Sequence, residues 1–307
     1  MNKNISSIAF KDNNLIIKNS SNSIKIEKSI NFDKDNELHI DVSPADQTQR
    51  IVLDVDTHDD ETFNLKIFLK INENAKLEFL DESTYKGNSN FELVTKLEKN
   101  ACLESYKLNK FNKNKINNFY HDCSLLESSS FKDYIFSNGS KENLNRTTIN
   151  LNDINSSYLG SGVAISDSTN SNNVVEIRHN AKSSTSDCFF KTVARGNSTI
   201  SFDGTIFVDN HCSKTISNQV SKGLLIGKES KINLVPKLEI YNDDVQCSHG
   251  AASGQPDAKT LFYLTSRGIS KTEAENLYIK GFLSEFFDTI DNAQMMTKAK
   301  EYISLNN

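Results

Sequence analysis

The sequence predicts a mainly β chain that closes in a C-terminal helical domain, on three observations. From Phe63 to Leu238 large apolar residues fall on alternate positions, as in half-buried strands. A weak internal repeat runs through the same region. From Asp257 onward the apolar spacing becomes helical, with Leu261, Phe262 and Leu264, then Leu277, Phe282, Leu283 and Phe286.

Residues 1–62 read as an N-terminal β-rich segment. Asn14 to Lys18, with Leu15 and Ile17, and Ser23 to Glu27, with Ile24 and Ile26, alternate between polar connectors. The acidic run Asp54, Asp56, His58, Asp59, Asp60 and Glu61 shows no recognisable ligand spacing and reads as a solvated turn.

Residues 63–256 form the expected β core. Leu65, Ile67, Leu69 and Ile71 alternate, and so do Leu77 with Phe79, Ile149 with Leu151, Val175 with Ile177, Ile200 with Phe202, and Ile206 with Val208. Asn74-Ala75-Lys76-Leu77-Glu78-Phe79 returns about 26 residues later as Asn100-Ala101-Cys102-Leu103-Glu104-Ser105, within the range of solenoid repeats. Gly196 to Phe202 and Gly227 to Leu234 echo it, each a small or polar corner feeding a strand. Short strands with such corners fit a parallel β-helix or another β-solenoid, and they also fit an ordinary β-sandwich.

Residues 257–307 read as helices. Asp257 is placed as an N-cap and Gly268 as a stop. Ser270 and Glu273 form a capping box for a second helix, Lys271 to Thr289, and a third spans Ala293 to Ile303. Their apolar stripe, with Phe262, Leu277, Phe282 and Phe286, requires burial. Part of it is expected to cover the open end of the solenoid and the rest to receive a partner.

The formal charge of −5 and the lack of an Arg/Lys stripe interleaved with aromatics argue against nucleic acid. No apolar run approaches the roughly 18–20 residues that span a bilayer. The first residues lack the apolar stretch of a secretory signal. Cys102, Cys123, Cys188, Cys212 and Cys247 form an odd set with no Cys-x-x-Cys, so neither a zinc ribbon nor a self-contained ferredoxin site is written here. A soluble protein of a reducing cytoplasm or plastid-type stroma fits these features. No Gly-x-x-x-x-Gly-Lys-Ser/Thr loop is present, so nucleotide binding by this chain is not expected.

The sharpest pair is Cys247 and His249. Two apart on an extended segment, thiol and imidazole share a face, and both are good iron ligands. Two ligands do not complete an iron–sulfur site, which takes about four. Such a pair therefore suits a shared or transient site at a subunit interface. The plain alternative is a buried cysteine beside a hydrogen-bonded histidine. Asp243 and Asp244 read equally as acceptors orienting His249 and as turn formers. His179, Cys188, His211 and Cys212 are read as structural. A Cys–His hydrolase is disfavoured, because this spacing specifies no triad geometry, and a polysaccharide lyase, because such an enzyme is expected to carry a secretory signal.

Asp243-Asp244-Val245-Gln246-Cys247-Ser248-His249-Gly250-Ala251, with the following Leu261 to Ile269, resembles the signature of the SufB/SufD family of iron–sulfur cluster assembly proteins, and within it the SufD branch. Gly160-Ser161-Gly162, Val175 to His179, Phe189-Phe190-Lys191, Phe202-Asp203-Gly204, Lys214-Thr215, Gln219 and Leu224-Leu225-Ile226 extend the likeness over Leu151 to Ile290. The helical N-terminal part of many relatives is not evident.

The resemblance implies a right-handed parallel β-helix core over 63–256. It implies pairing with a SufB-like paralogue through the solenoid edge. It also implies docking of a SufC-like ATPase on the helical domain, with Phe262, Tyr263, Arg267, Gly268 and Phe282 as contact residues. Cys247 and His249 would then lie near a shared assembly site that receives iron or a nascent cluster transiently, with no cofactor held stably. The expected role is an accessory scaffold and not an enzyme. The alternative is a purely structural, homodimeric β-helix subunit without a metal role.

Overall fold

The computed structural model describes residues 5–11, 14–18, 21–30, 36–58 and 62–305. In chain order the strands are β1 (Ile5–Lys11), β2 (Asn14–Lys18), β3 (Ile24–Ile30), β4 (Asn36–Val42), β5 (Gln49–Val55), β6 (Thr62–Ile71) and β7 (Lys76–Asp81). Next come β8 (Thr84–Tyr85), β9 (Asn88–Leu97), β10 (Cys102–Leu108), β11 (Lys110–Phe111), β12 (Ile116–Leu125), β13 (Ser130–Asn138) and β14 (Glu142–Leu151). Then follow β15 (Ser157–Asp167), β16 (Asn170–His179), β17 (Thr185–Arg195), β18 (Thr199–Val208), β19 (Thr215–Leu225), β20 (Lys231–Ile240) and β21 (Val245–Gly254). Three helices follow, α1 (Ala258–Ser266), α2 (Lys271–Phe287) and α3 (Ala293–Leu305).

From β4 onward consecutive long strands go to opposite sheets. One sheet runs β2-β1-β5-β7-β10-β13-β15-β17-β19-β21, the other β20-β18-β16-β14-β12-β9-β6-β4-β3. Pairing is parallel except at one end, where β1–β2 and β3–β4 are antiparallel. The chain is therefore a parallel β-solenoid, and the sandwich alternative is excluded. The sheets run without a break across the expected boundary at 62/63, since β4 pairs with β6 and β5 with β7.

The repeat read from the sequence marks one corner of each turn. Asn74, Asn100, Ser128, Asn155, Ser183 and Lys214 all have positive φ. This left-handed geometry is costly for residues with a Cβ and least so for Asn. It turns the backbone N–H toward the neighbouring turn: Asn74 donates to Lys99 O at 3.0 Å, Asn100 to Glu127 O and Ser128 to Ile154 O, both at 2.9 Å. Asn100 Nδ2 also donates to Asn74 Oδ1 at 3.0 Å.

Inward residues of both sheets form one apolar core, interrupted by a polar group. Lys107 Nζ donates to Asp133 Oδ2 at 3.0 Å and to His121 Nδ1 at 3.3 Å, and His121 Nε2 meets Thr95 Oγ1 at 3.0 Å. Burial, then the Lys107 charge, holds His121 well below its ordinary range. One register position from Lys107 lies Asp81. It is fully buried, accepting from Ser83 Oγ at 2.5 Å and Asn109 Nδ2 at 3.0 Å.

The helices lie on the outer flank of the first sheet and not over the open end, which corrects the expectation. The reason is a second apolar surface. Tyr106, Tyr134, Phe136, Val163, Ile165 and Val193 face outward and pack against α2 and α3 through Ile279, Leu283, Phe286, Met295, Ala299 and Tyr302. Lys191 ties α2 down. Its buried ammonium pairs with Glu285 at 3.0 Å, donates to Phe282 O and lies 4.7 Å from the Phe282 ring. Lys222 joins the same carboxylate at 2.9 Å. The caps stand as read: Asp257 accepts from Thr260 N at 2.9 Å, Ser270 and Glu273 form the box, and Gly268 (φ +85°) follows α1.

No helix among the described residues is long and apolar enough to cross a membrane.

Two outcomes follow from this packing. Phe286→Ala empties a fully buried ring site between α2 and the sheet, and is expected to cost about 3–5 kcal/mol in urea unfolding. Burial raises Asp81 from 3.8 to about 6, against the pull of its hydrogen bonds. The folded state therefore holds the proton more tightly than the unfolded chain. The cost of the charged form is absent below the unfolded value and grows to about 3 kcal/mol as pH rises past the folded one. Asp81→Asn should lessen the loss of stability between about pH 4 and about pH 7 relative to the parent, compared by urea unfolding at both.

Candidate functional site

The two ends of the solenoid differ. Antiparallel strands finish one, whereas β20 and β21 leave a free edge on both sheets at the other. In a parallel ladder alternate residues direct N–H and C=O to the same neighbour. Lys231 N donates to Ser198 O and Tyr241 N to Val208 O, so odd-numbered residues of β20 serve β18. Even-numbered ones face the free edge, and Pro236 among them supplies no donor. On β21 the register Ser217↔Cys247 leaves Val245, Cys247, His249 and Ala251 directing their backbone groups outward. That edge contains no proline.

The same residues turn their side chains to the solenoid interior. Cys247 is half-buried against the main core. Burial pushes its thiol up, partly offset by a hydrogen bond to the Ser217 backbone. Below it in register stand Ser217 and then Ser186, while below His249 stand Gln219 and then Cys188. His249 is exposed at the mouth. Across from them β20 sends Ile232, Leu234 and Leu238 to the core. The mouth is thus apolar on one wall and Cys/His-bearing on the other.

Gln219 is the member that residue patterning did not single out as functional. Fully buried, it donates from Nε2 to Gly204 O at 3.2 Å, while its Oε1 has no hydrogen-bond partner. A Cβ at position 204 would lie 2.4–2.6 Å from the Gln219 amide, so only glycine leaves room there. The spare acceptor sits one rung beneath His249. Phe202-Asp203-Gly204 and Gln219 stood among the positions of resemblance, but their mutual contact needed the register.

Asp243 and Asp244 lie in the exposed turn before β21. Asp244 N donates to Asn242 Oδ1 at 2.8 Å, and Asp244 O accepts from Lys214 N at 2.6 Å. Among the described residues neither carboxylate is hydrogen-bonded to His249. The other soft ligands are dispersed. His179 is buried among serines, Cys188 and Cys212 are buried, and His211 meets Asn180 O at 3.0 Å on the surface. Of the acidic run, Asp56 pairs with Lys86 at 2.7 Å, and residues 59–61 lie outside the described ones. No group of three or more His, Cys, Asp or Glu suited to a metal occurs among the described residues.

A second exposed surface lies on the helices. No residue of α1 is buried. Phe262 is 74% and Tyr263 58% exposed, with Arg267 over the Tyr263 ring at 5.3 Å and Gly268 just beyond. Leu277 of α2 is also exposed, at 47%. Phe282 belongs to a different place: half-buried beneath Lys191, it lies in the seam between α2 and the solenoid.

A family model described as SUF system FeS cluster assembly, SufBD core domain, matches residues 55–282. The chain is 37% identical over 114 residues to the iron–sulfur cluster assembly protein SufD of Escherichia coli (strain K12), covering 37% of this chain and 27% of that protein. It is 34% identical over 103 residues to an iron–sulfur cluster assembly SufBD family protein of Synechocystis, covering 34% and 23%. To the chloroplastic protein ABCI7 of Arabidopsis thaliana it is 32% identical over 111 residues, covering 36% and 23%. The matching segment thus spans about a quarter of the length of these relatives.

Gly204→Ala is expected to displace Gln219 and lower stability by about 1–3 kcal/mol. In a double-mutant cycle read by urea unfolding, Gln219→Ala should recover part of that loss, because the two changes share one contact.

Proposed function

This chain belongs to the SufB/SufD family, whose core-domain model matches residues 55–282, and from that premise we propose that it is a SufD-like accessory scaffold in iron–sulfur cluster assembly. The observation that carries the reading is the placement of Cys247 and His249 on the inner face of a strand whose backbone edge is unpaired. A partner strand laid along β21 satisfies that edge and brings its own side chains to the same mouth, where two ligands await completion. A SufB-like paralogue has the matching architecture. Iron or a nascent cluster is cargo at this shared site and not a resident cofactor. Gln219 Oε1 beneath His249 offers an acceptor that holds the imidazole for that task.

The exposed aromatics of α1, with Arg267 beside them, form the surface for a SufC-like ATPase. Phe262 and Tyr263 supply anchors of the kind that dominate interfaces. Lys191, Lys222 and Glu285 join α2 to β17 and β19, so movement imposed on the helices reaches the strands beside the mouth. The chain itself catalyses no step in this reading, and it works in the cytoplasm or a plastid.

The test is co-purification with a SufB-like and a SufC-like protein, comparing the intact chain with one ending at Gly254. Only the intact chain should retain the ATPase, and binding of neither partner by either chain would overturn the reading. The double variant Cys247→Ser/His249→Ala should keep the complex and lose most cluster formation, followed by visible absorbance. Unchanged cluster formation would instead support a purely structural subunit.

A further inference from the structure

We propose that the partner pairs with the solenoid along β21 alone, and that Pro236 guards β20 so that one side of the mouth stays open. The proposal rests on the reading of this end as the assembly mouth, and it specifies how the partner is held there. Among the described residues neither β20 nor β21 has a second neighbour in its sheet, so both offer an edge. The two edges are built differently.

On β20 the outward backbone groups belong to Ile232, Leu234, Pro236, Leu238 and Ile240. Pro236 is the middle one of the five. It has no N–H, and its ring carbon occupies the direction in which that hydrogen would point. A strand laid along β20 would therefore carry an unpaired carbonyl at the centre of the ladder, which is costly once water is excluded. The strand also bears Lys231, Lys237 and Glu239 on the outer surface of the sheet. Lys237 reaches back to Asp203 of β18 at 2.8 Å. Proline and charged side chains, lysine above all, are what blunts sheet edges against further strands.

The other edge has none of these devices. β21 reads Val-Gln-Cys-Ser-His-Gly-Ala-Ala-Ser-Gly from 245 to 254, with no proline and no Lys, Arg, Asp or Glu. Its outward N–H and C=O groups run unbroken from Val245 through Cys247, His249 and Ala251. On its outer surface Gly250 and Gly254 leave open space, since a Cβ at either would meet nothing within 4 Å. A long, uncharged edge is an aggregation hazard unless a strand covers it. The edge that carries Cys247 and His249 is thus kept for a partner, and the opposite one is closed to it.

Docking is then one-sided. A proline-free partner strand covers the Cys247/His249 wall, while the apolar wall of Ile232, Leu234 and Leu238 keeps a free border. A cavity of 350 Å³ is lined by both strands, through Ile232, Leu234, Ala251 and Ser253 among others. It stays reachable from the β20 side, so cargo enters while the partner remains bound.

The experiment is amide hydrogen exchange, read residue by residue by mass spectrometry on the chain alone and bound to a SufB-like protein. Bound, Cys247, His249 and Ala251 should exchange at least about tenfold more slowly, while Leu234 and Leu238 keep their free-chain rates. Equal slowing on both strands, or none on β21, would overturn the proposal. Ala251→Pro moves the guard to β21 and should abolish binding; retained binding by the folded variant counts against the idea. If no SufB-like protein binds the parent chain, the assembly reading fails, and the guard is tested on the chain alone. There Pro236→Val, a strand former with its N–H restored, should associate with itself as concentration rises in sedimentation velocity, with Leu234 and Leu238 slowed. Sedimentation equal to the parent's would show that Pro236 guards nothing.

Discussion

Everything in this protein depends on the parallel backbone ladder between successive turns. Each strand takes its hydrogen bonds from the turn before and offers an equal set to the turn after. Asparagine, serine and lysine corners with positive φ keep that exchange going where the chain changes sheets. A ladder of this kind has no internal reason to stop. At one end antiparallel strands finish it. At the other β21 leaves a full row of backbone groups unpaired, and those groups belong to the residues that carry Cys247 and His249. The open edge of the fold and the Cys247–His249 pair occur at one place.

Stacking also explains why polar residues survive inside. In a solenoid, side chains at equivalent positions of successive turns are neighbours, so a buried serine finds another serine and a buried carboxylate finds a lysine. Ser186 over Ser217 is such a pair, while Lys107 reaches Asp133 of the neighbouring turn from two positions along. Glycine has the complementary role of leaving space. Gly162 lies where any Cβ would strike the Phe190 ring, which stacks on Phe202 at 4.5 Å. Buried polar groups are costly unless paired, and stacking pairs them turn by turn.

The helices answer a different need. The outward face of the middle strands of the first sheet is apolar, and α2 and α3 cover it. The polar tie at Lys191, Lys222 and Glu285 then fixes α2 beside the last turns. Helix α1 is left with no buried residue, because the sheet surface is already occupied. The chain thus holds a covering helix pair and an uncovered helix side by side, with the exposed aromatics of α1 on the latter.

Features set by neighbours a few residues apart were legible in the sequence. The alternation of Leu65, Ile67, Leu69 and Ile71, the Asn74 and Asn100 corners, the Asp257 and Ser270 caps and the shared face of Cys247 and His249 all depend on residues within one turn of structure. What depended on register was not legible. The Gly204 gap that admits Gln219 spans 15 residues, the Ser186–Ser217 bond 31 and the Lys222–Glu285 pair 63. Phe262, Leu277, Phe282 and Phe286 look alike as one apolar stripe, yet Phe286 is buried, Phe282 half-buried, and the other two exposed. By itself the sequence determined the strands, corners, caps and chemistry of the chain, because local backbone preference and side-chain period are written residue by residue. Only the tertiary structure decided which flank the helices cover and which buried groups meet, because those follow from how the turns stack and which surface remains apolar once they have.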